Sequence, residues 1–156
     1  MEPTFHSALI LYTILAAGIN SGAFFAFSNF VMKALVRLDP ADGARAMQEI
    51  NRSAPNIAFM ATLMGGGLTG LVLAIAAGGA AAPEWQVAGG LLSAAAALIT
   101  MVFHVPRNNA LDRVDADSGD GQAAWAQYAV SWTRGNHVRA AASALSVFCL
   151  VLATAA

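Results

Sequence analysis

Four long apolar runs, roughly 8–32, 56–82, 85–103 and 138–156, carry charge only at their edges and dominate the sequence. Crossing about 30 Å of hydrocarbon takes roughly 20 helical residues at 1.5 Å rise each, so every run is long enough to span a bilayer. Lipid offers the backbone no hydrogen-bond partner, which makes such runs helices, and the alternating pattern of a barrel strand is absent. The expected fold class is an all-α membrane protein, a four-transmembrane-helix bundle forming a single domain over residues 1–156. With their polar ends included, the third and fourth spans extend to about 85–107 and 136–156. Composition agrees: 58% of residues are hydrophobic and 11% charged, too little charge for a soluble surface.

Loop lengths and charge give the spans a direction. Spans two and three are joined by a short link around Gly78 to Pro83, whereas the other two connections are polar segments of about 25 and 30 residues that must emerge on one side. All eight basic residues lie in or beside those long loops: Lys33, Arg37, Arg45, Arg52, Arg107, Arg113, Arg134 and Arg139. By the positive-inside rule the long loops are expected in the cytoplasm and both termini outside it, in a multi-pass protein of the cell (inner) membrane. The stretch Met1 to His6 has no basic region and no clear cleavage site, so no removable signal peptide is expected. A net charge of −1 with no dense basic region argues against a nucleic-acid partner, and Cys149, the single cysteine, excludes an internal disulfide.

Both long loops carry amphipathic helical signals. Asp39-Pro40 offers a cap and a helix start, with Ala44, Met47 and Ile50 or Asn51 at helical spacing behind it. Trp125, Tyr128 and Trp132 share one helical face, which reads as a helix lying along the membrane interface or as a wall over a ligand site. The sequence ALVRLD at 34–39 is echoed by ALDRVD at 110–115, each after an odd-numbered span. The chain therefore reads as two tandem two-helix hairpins. Small residues at Gly18 and Gly22, at Gly65, Gly66, Gly67 and Gly70, and at Gly89, Gly90, Ser93, Ala94 and Ala97 supply faces for close helix packing or for a homo-oligomer. Helical phase puts Asn29 about 20° from Gly18 on that inward face, His104 in line with Ser93, Ala97 and Thr100, and His137 in line with Ala141 and Ala144.

Polar residues gather at one end of the spans. Asn29, Asn51, Arg52, Asn56, His104, Asn108, Asn109, Trp132, Asn136, His137 and Arg139 all fall at the loop-bearing end, whereas the other end has little besides His6, Glu84 and Gln86. Polar groups at membrane depth must pair, face water or serve a site. His104 and His137 are the candidates for proton transfer, and the remaining nine for substrate binding. Zinc or an iron triad needs a third ligand that the cluster lacks, so no metal is expected, with haem or metal on the histidine pair as the minor alternative. Asn20, alone in mid-span, is expected to bond between helices.

Four segments carry a family resemblance: SNFVMKAL at 28–35, AMQEINR at 46–52 followed by Pro55 and Asn56, HVPRNNAL at 104–111, and WTRGNHVR at 132–139. In this order and spacing they resemble the anthrone oxygenase-like family of small four-span membrane proteins. Gly135 stands where that pattern has a bulky aromatic residue, and Lys33 where it has proline. The resemblance implies oxidation of an anthrone to an anthraquinone by dioxygen without a conventional cofactor. Two readings follow: a membrane oxidoreductase acting on a lipophilic polycyclic phenol, or a non-catalytic binding or assembly protein whose polar layer supports a haem, a quinone or a partner subunit. The partners expected are the bilayer and a lipophilic small molecule.

Overall fold

The computed structural model describes residues 5–156; Met1 to Thr4, where the signal-peptide reading begins, lie outside the described residues. Four helices are long and apolar enough to cross a membrane: α1 (Phe5–Leu35), α3 (Ile57–Ile75), α4 (Pro83–Leu111) and α5 (Gly119–Ala155). A shorter helix, α2 (Pro40–Ser53), occupies the first long loop. Among the described residues there is no strand. The four-span bundle expected from the apolar runs is the architecture found, with α1 packed against α3 and α5, and α4 completing the ring between them.

Local chemistry sets the helix starts. Asp39 accepts from the amide of Ala41 at 3.1 Å and Pro40 follows as the first residue of α2. Asn56 caps α3 through the Phe59 amide at 3.0 Å, and Ser118 caps α5 through the Gly121 amide at 2.9 Å. The turn between α3 and α4 is one 3-10 turn, Ala77–Gly79.

The glycines of α3 and α4 pack as their size suggests. A Cβ at Gly70 would lie 2.7 Å from the Gly90 carbonyl oxygen, and one at Gly67 would lie 2.6 Å from Ala97 Cβ, so these backbones approach as only small residues allow. On α1 the expectation fails. A Cβ added at Gly18 or Gly22 would meet nothing within 4 Å beyond its own helix among the described residues, and the face that turns inward carries Thr13, Ala16, Ala17, Asn20, Phe24 and Ser28. Polar groups decide this. Thr13 bonds Thr69 at 2.8 Å, and Asn20 donates to the Thr62 carbonyl at 3.1 Å while accepting from the Thr62 hydroxyl at 3.2 Å. A glycine left in lipid costs no hydrogen bond, but an asparagine does.

The second loop also differs from expectation. Trp125, Tyr128 and Trp132 do not sit on a separate helix: α5 runs unbroken for 37 residues, about 55 Å, well beyond the hydrocarbon thickness. The three rings stack at centroid distances of 5.9 and 6.2 Å and form a buried cap with Met32, Met47 and Leu111. α2 closes this cap, held by Gln48 donating to the carbonyls of Leu111 at 2.9 Å and Val114 at 3.0 Å.

Three spans widen into a π turn on the loop-bearing side: Phe27–Val31, Ala61–Gly65 and Thr100–His104. Wide turns loosen the carbonyl ladder, and side chains take up carbonyls around each one. Asn136 donates to Phe24 O at 2.6 Å, Tyr12 to Ala61 O at 2.7 Å, and His104 Nδ1 lies 3.4 Å from Ile99 O.

Candidate functional site

Between α2 and the loop-bearing halves of all four spans lies a cavity of about 540 Å³. Its wall is mostly apolar, built from Phe24 and Phe27 of α1, Met47 and Ile50 of α2, and Phe59 and Met60 of α3. Polar groups enter it at few points: Asn51 and Glu49 from α2, Asn56 at the start of α3, Thr100 and Asn108 from α4, and Arg139 from α5.

Arg139 is the unusual member. Its side chain is 4% exposed, and among the described residues it makes no ion pair. Nη1 donates to Thr100 Oγ1 at 3.1 Å, Nη2 donates to Asn136 Oδ1 at 2.6 Å, and Nε has no hydrogen-bond partner among the described residues. The guanidinium carbon lies 4.2 Å from the Phe24 ring centroid and 5.3 Å from that of Trp132, within reach of both π faces. A buried cation held only by neutral groups keeps its charge available for an anionic or partly anionic oxygen. Asn51 is also buried, and its Nδ2 has no hydrogen-bond partner among the described residues.

The rest of the polar layer positions these groups. Asn136, fully buried, donates to Phe24 O and, at 2.7 Å, to Ser28 Oγ, joining α5 to α1. Asn108 Oδ1 accepts from Tyr128 Oη at 2.8 Å and from Trp132 Nε1 at 3.0 Å, which locks both rings of the cap.

Of the eleven residues expected here, Asn51, Asn56, Asn108, Trp132 and Arg139 line the cavity, and Asn136 stands directly behind Arg139. His104 is fully buried but off the wall, its ring edge-on to Trp132 at 5.2 Å, and Nε2 has no hydrogen-bond partner among the described residues. His137 is placed elsewhere. It is exposed, as are Ala141 and Ala144, because the inward face of α5 carries Asn136, Arg139, Ser143 and Ser146. Ser146 bonds Gly89 O at 2.7 Å, so hydrogen bonding again decides the face. Of the two histidines, one is thus fully buried and the other exposed. Asn29 turns back to its own Phe25 carbonyl at 3.0 Å, Arg52 is exposed and paired with Glu49, and Asn109 is exposed. Sequence reasoning missed Glu49 and Thr100 as wall residues; the one-turn spacing of Thr100 from His104 was the available signal.

Gly135 explains its own departure from the family pattern. A Cβ there would collide with the Phe103 ring and lie 3.1 Å from His104 Cε1, so Phe103 occupies the volume that a larger residue at 135 would fill.

No curated protein and no solved structure matches the chain. A family model described as anthrone oxygenase matches residues 47–149, a stretch that runs from Met47 in α2 to Cys149 in α5 and includes most of the cavity wall. With that match over more than half its length, the chain belongs to the anthrone oxygenase family.

Proposed function

We propose that the protein is a membrane oxygenase that oxidises a lipophilic polycyclic phenol of the anthrone type with dioxygen in the cavity beside Arg139. The observation that carries this reading is a buried guanidinium that, among the described residues, has no carboxylate partner, set in a mostly apolar wall. An anthrone partitions into the bilayer and reaches the cavity from the side. Loss of a proton from its methylene carbon gives an enolate whose charge rests on the former carbonyl oxygen, and Arg139 is the group to stabilise that charge. Glu49, the carboxylate on the wall, takes the proton. The enolate carbon then gives its electrons to dioxygen and forms a carbon–oxygen bond; the peroxide regains a proton and loses water to leave the quinone carbonyl. One oxygen atom ends in the product and one in water. No bound cofactor is required by this balance.

His104, expected to act as a base, is not among the residues lining the cavity, and in this reading its edge-on contact with Trp132 holds that ring. In this reading the cavity faces the cytoplasm, a side that the positive-inside rule supports for the basic loops. The decisive experiment compares anthrone-dependent oxygen uptake in membranes bearing the wild-type chain or Arg139→Gln. A fall of about 100-fold is expected for loss of one charge-stabilising donor. An unchanged rate overturns the reading.

The assembly reading retains one favourable observation, the Asn136 clasp from α5 to Phe24 and Ser28 of α1. It predicts loss of stability on changing Asn136 in a protein that oxidises no anthrone with any side chain at 139.

A further inference from the structure

A second concavity, of about 550 Å³, opens on the outer face of α5 and is closed on one side by Val36 and Pro40. It has a polar head and an apolar floor. Thr133, Arg134 and His137 line one part, and Ala126, Ala129 and Val130 another. Arg134 and His137 are exposed and draw no ion pair among the described residues, so the cationic head is open to an anion. The same outward face continues toward the middle of the span through Val138, Ala141, Leu145 and Phe148, all exposed. These positions recur at three or four residues, one stripe of the helix. A cationic groove at the end of a span, continued by a bare apolar stripe along that span, has the shape and chemistry of one amphiphile with its headgroup at the top and its chains below.

We propose that this groove is a binding site for an anionic phospholipid, with the headgroup phosphate at Arg134 and His137 and an acyl chain along the Leu145 and Phe148 stripe. A soluble anion would use the head but gain nothing from the stripe. A zwitterionic lipid would use the stripe but bring an ammonium group to the arginine. The groove lies on the opposite face of α5 from the Arg139 cavity and does not depend on what that cavity does.

The test is native mass spectrometry of the full chain purified in mild detergent and exchanged with phosphatidylglycerol or phosphatidylcholine. Wild-type protein is expected to retain phosphatidylglycerol in preference. In Arg134→Gln retention falls about fivefold, the effect of one cation against an anionic headgroup, and in Arg134→Glu the preference is lost. Arg113→Gln, which removes an exposed loop cation away from the groove, keeps the wild-type preference. Equal retention of the two lipids by the wild type overturns the proposal, as does a full preference in Arg134→Glu. Displacement of the lipid by millimolar inorganic phosphate also overturns it, since it would reveal a simple anion site. A melting temperature raised by phosphatidylglycerol in the wild type, and not in Arg134→Glu, is the second readout that separates lost binding from misfolding.

Discussion

Arg139 and Asn136 stand one helical turn apart on α5, and the guanidinium donates to the asparagine oxygen at 2.6 Å. Asn136 is committed on its other side to Phe24 O and Ser28 Oγ of α1, so the cation is positioned through a chain of bonds that crosses the bundle. Such a chain fixes direction without neutralising charge. A carboxylate in the place of Asn136 would make a stronger bond and a poorer binding site for an anion.

The first prediction separates stability from activity at Arg139. Desolvating an arginine that has no ion partner is costly, and replacing it with an apolar side chain of similar length removes that cost. Arg139→Met leaves Asn136 Oδ1 without its donor, a cost of about 1–3 kcal/mol that the saved desolvation offsets, so the variant is expected to melt no lower than the wild type while anthrone oxidation falls by about 100-fold. A thermal melt in detergent and an oxygen-uptake assay in membranes check the two halves.

Asn136→Ala is expected to do both kinds of damage. It leaves Phe24 O and Ser28 Oγ without their donor and frees Arg139 from its bond, and each stranded buried group costs about 1–3 kcal/mol. The melting temperature should drop and the oxidation rate should fall with it. A drop in rate with an unchanged melt would mean that the clasp bears no load and that Asn136 acts at the substrate.

The spans were legible in the sequence because lipid imposes one length and one hydrogen-bonding solution on every crossing. Asn51, Asn108, Trp132, Asn136 and Arg139 were legible as one layer for the same reason: they are polar where polarity is expensive. What the sequence did not display was rotation. Gly18 and Gly22 looked like a packing face, yet Asn20 and Thr13 turned the helix the other way. His137 looked like a partner for His104, yet Ser143, Ser146 and Arg139 claimed the inside of α5. Uniform helical phase also fails across the three π turns, because each inserts a wide turn that shifts every residue beyond it. The aromatic trio pointed to a shared face but not to what covered it, which depended on α2 folding back.

A third prediction concerns Asn108, whose single oxygen serves two donors. Tyr128→Phe removes one donor and leaves the oxygen bonded to Trp132, so it should cost no more than about 1.5 kcal/mol. Asn108→Leu strands the Tyr128 hydroxyl and the Trp132 indole together and should cost about 1–3 kcal/mol for each. Equilibrium unfolding of both variants measures the difference. Equal losses would show that water or another acceptor replaces Asn108.

Gly135 gives the sharpest packing prediction. The Phe103 ring lies where a Cβ at 135 would go, and Arg107 sits over the same ring at 3.5 Å from its centroid, so the ring has little freedom to retreat. Gly135→Ala is expected to destabilise by about 1–3 kcal/mol through overpacking, even though alanine is the better helix former. Phe103→Ala alone removes the half-buried ring and should also destabilise. The pair Gly135→Phe with Phe103→Ala returns an aromatic ring to the same volume from the opposite helix and should recover a large part of either loss. A double-mutant cycle on thermal stability reads the coupling directly. Strict additivity of the two changes would show that residues 103 and 135 do not share this space.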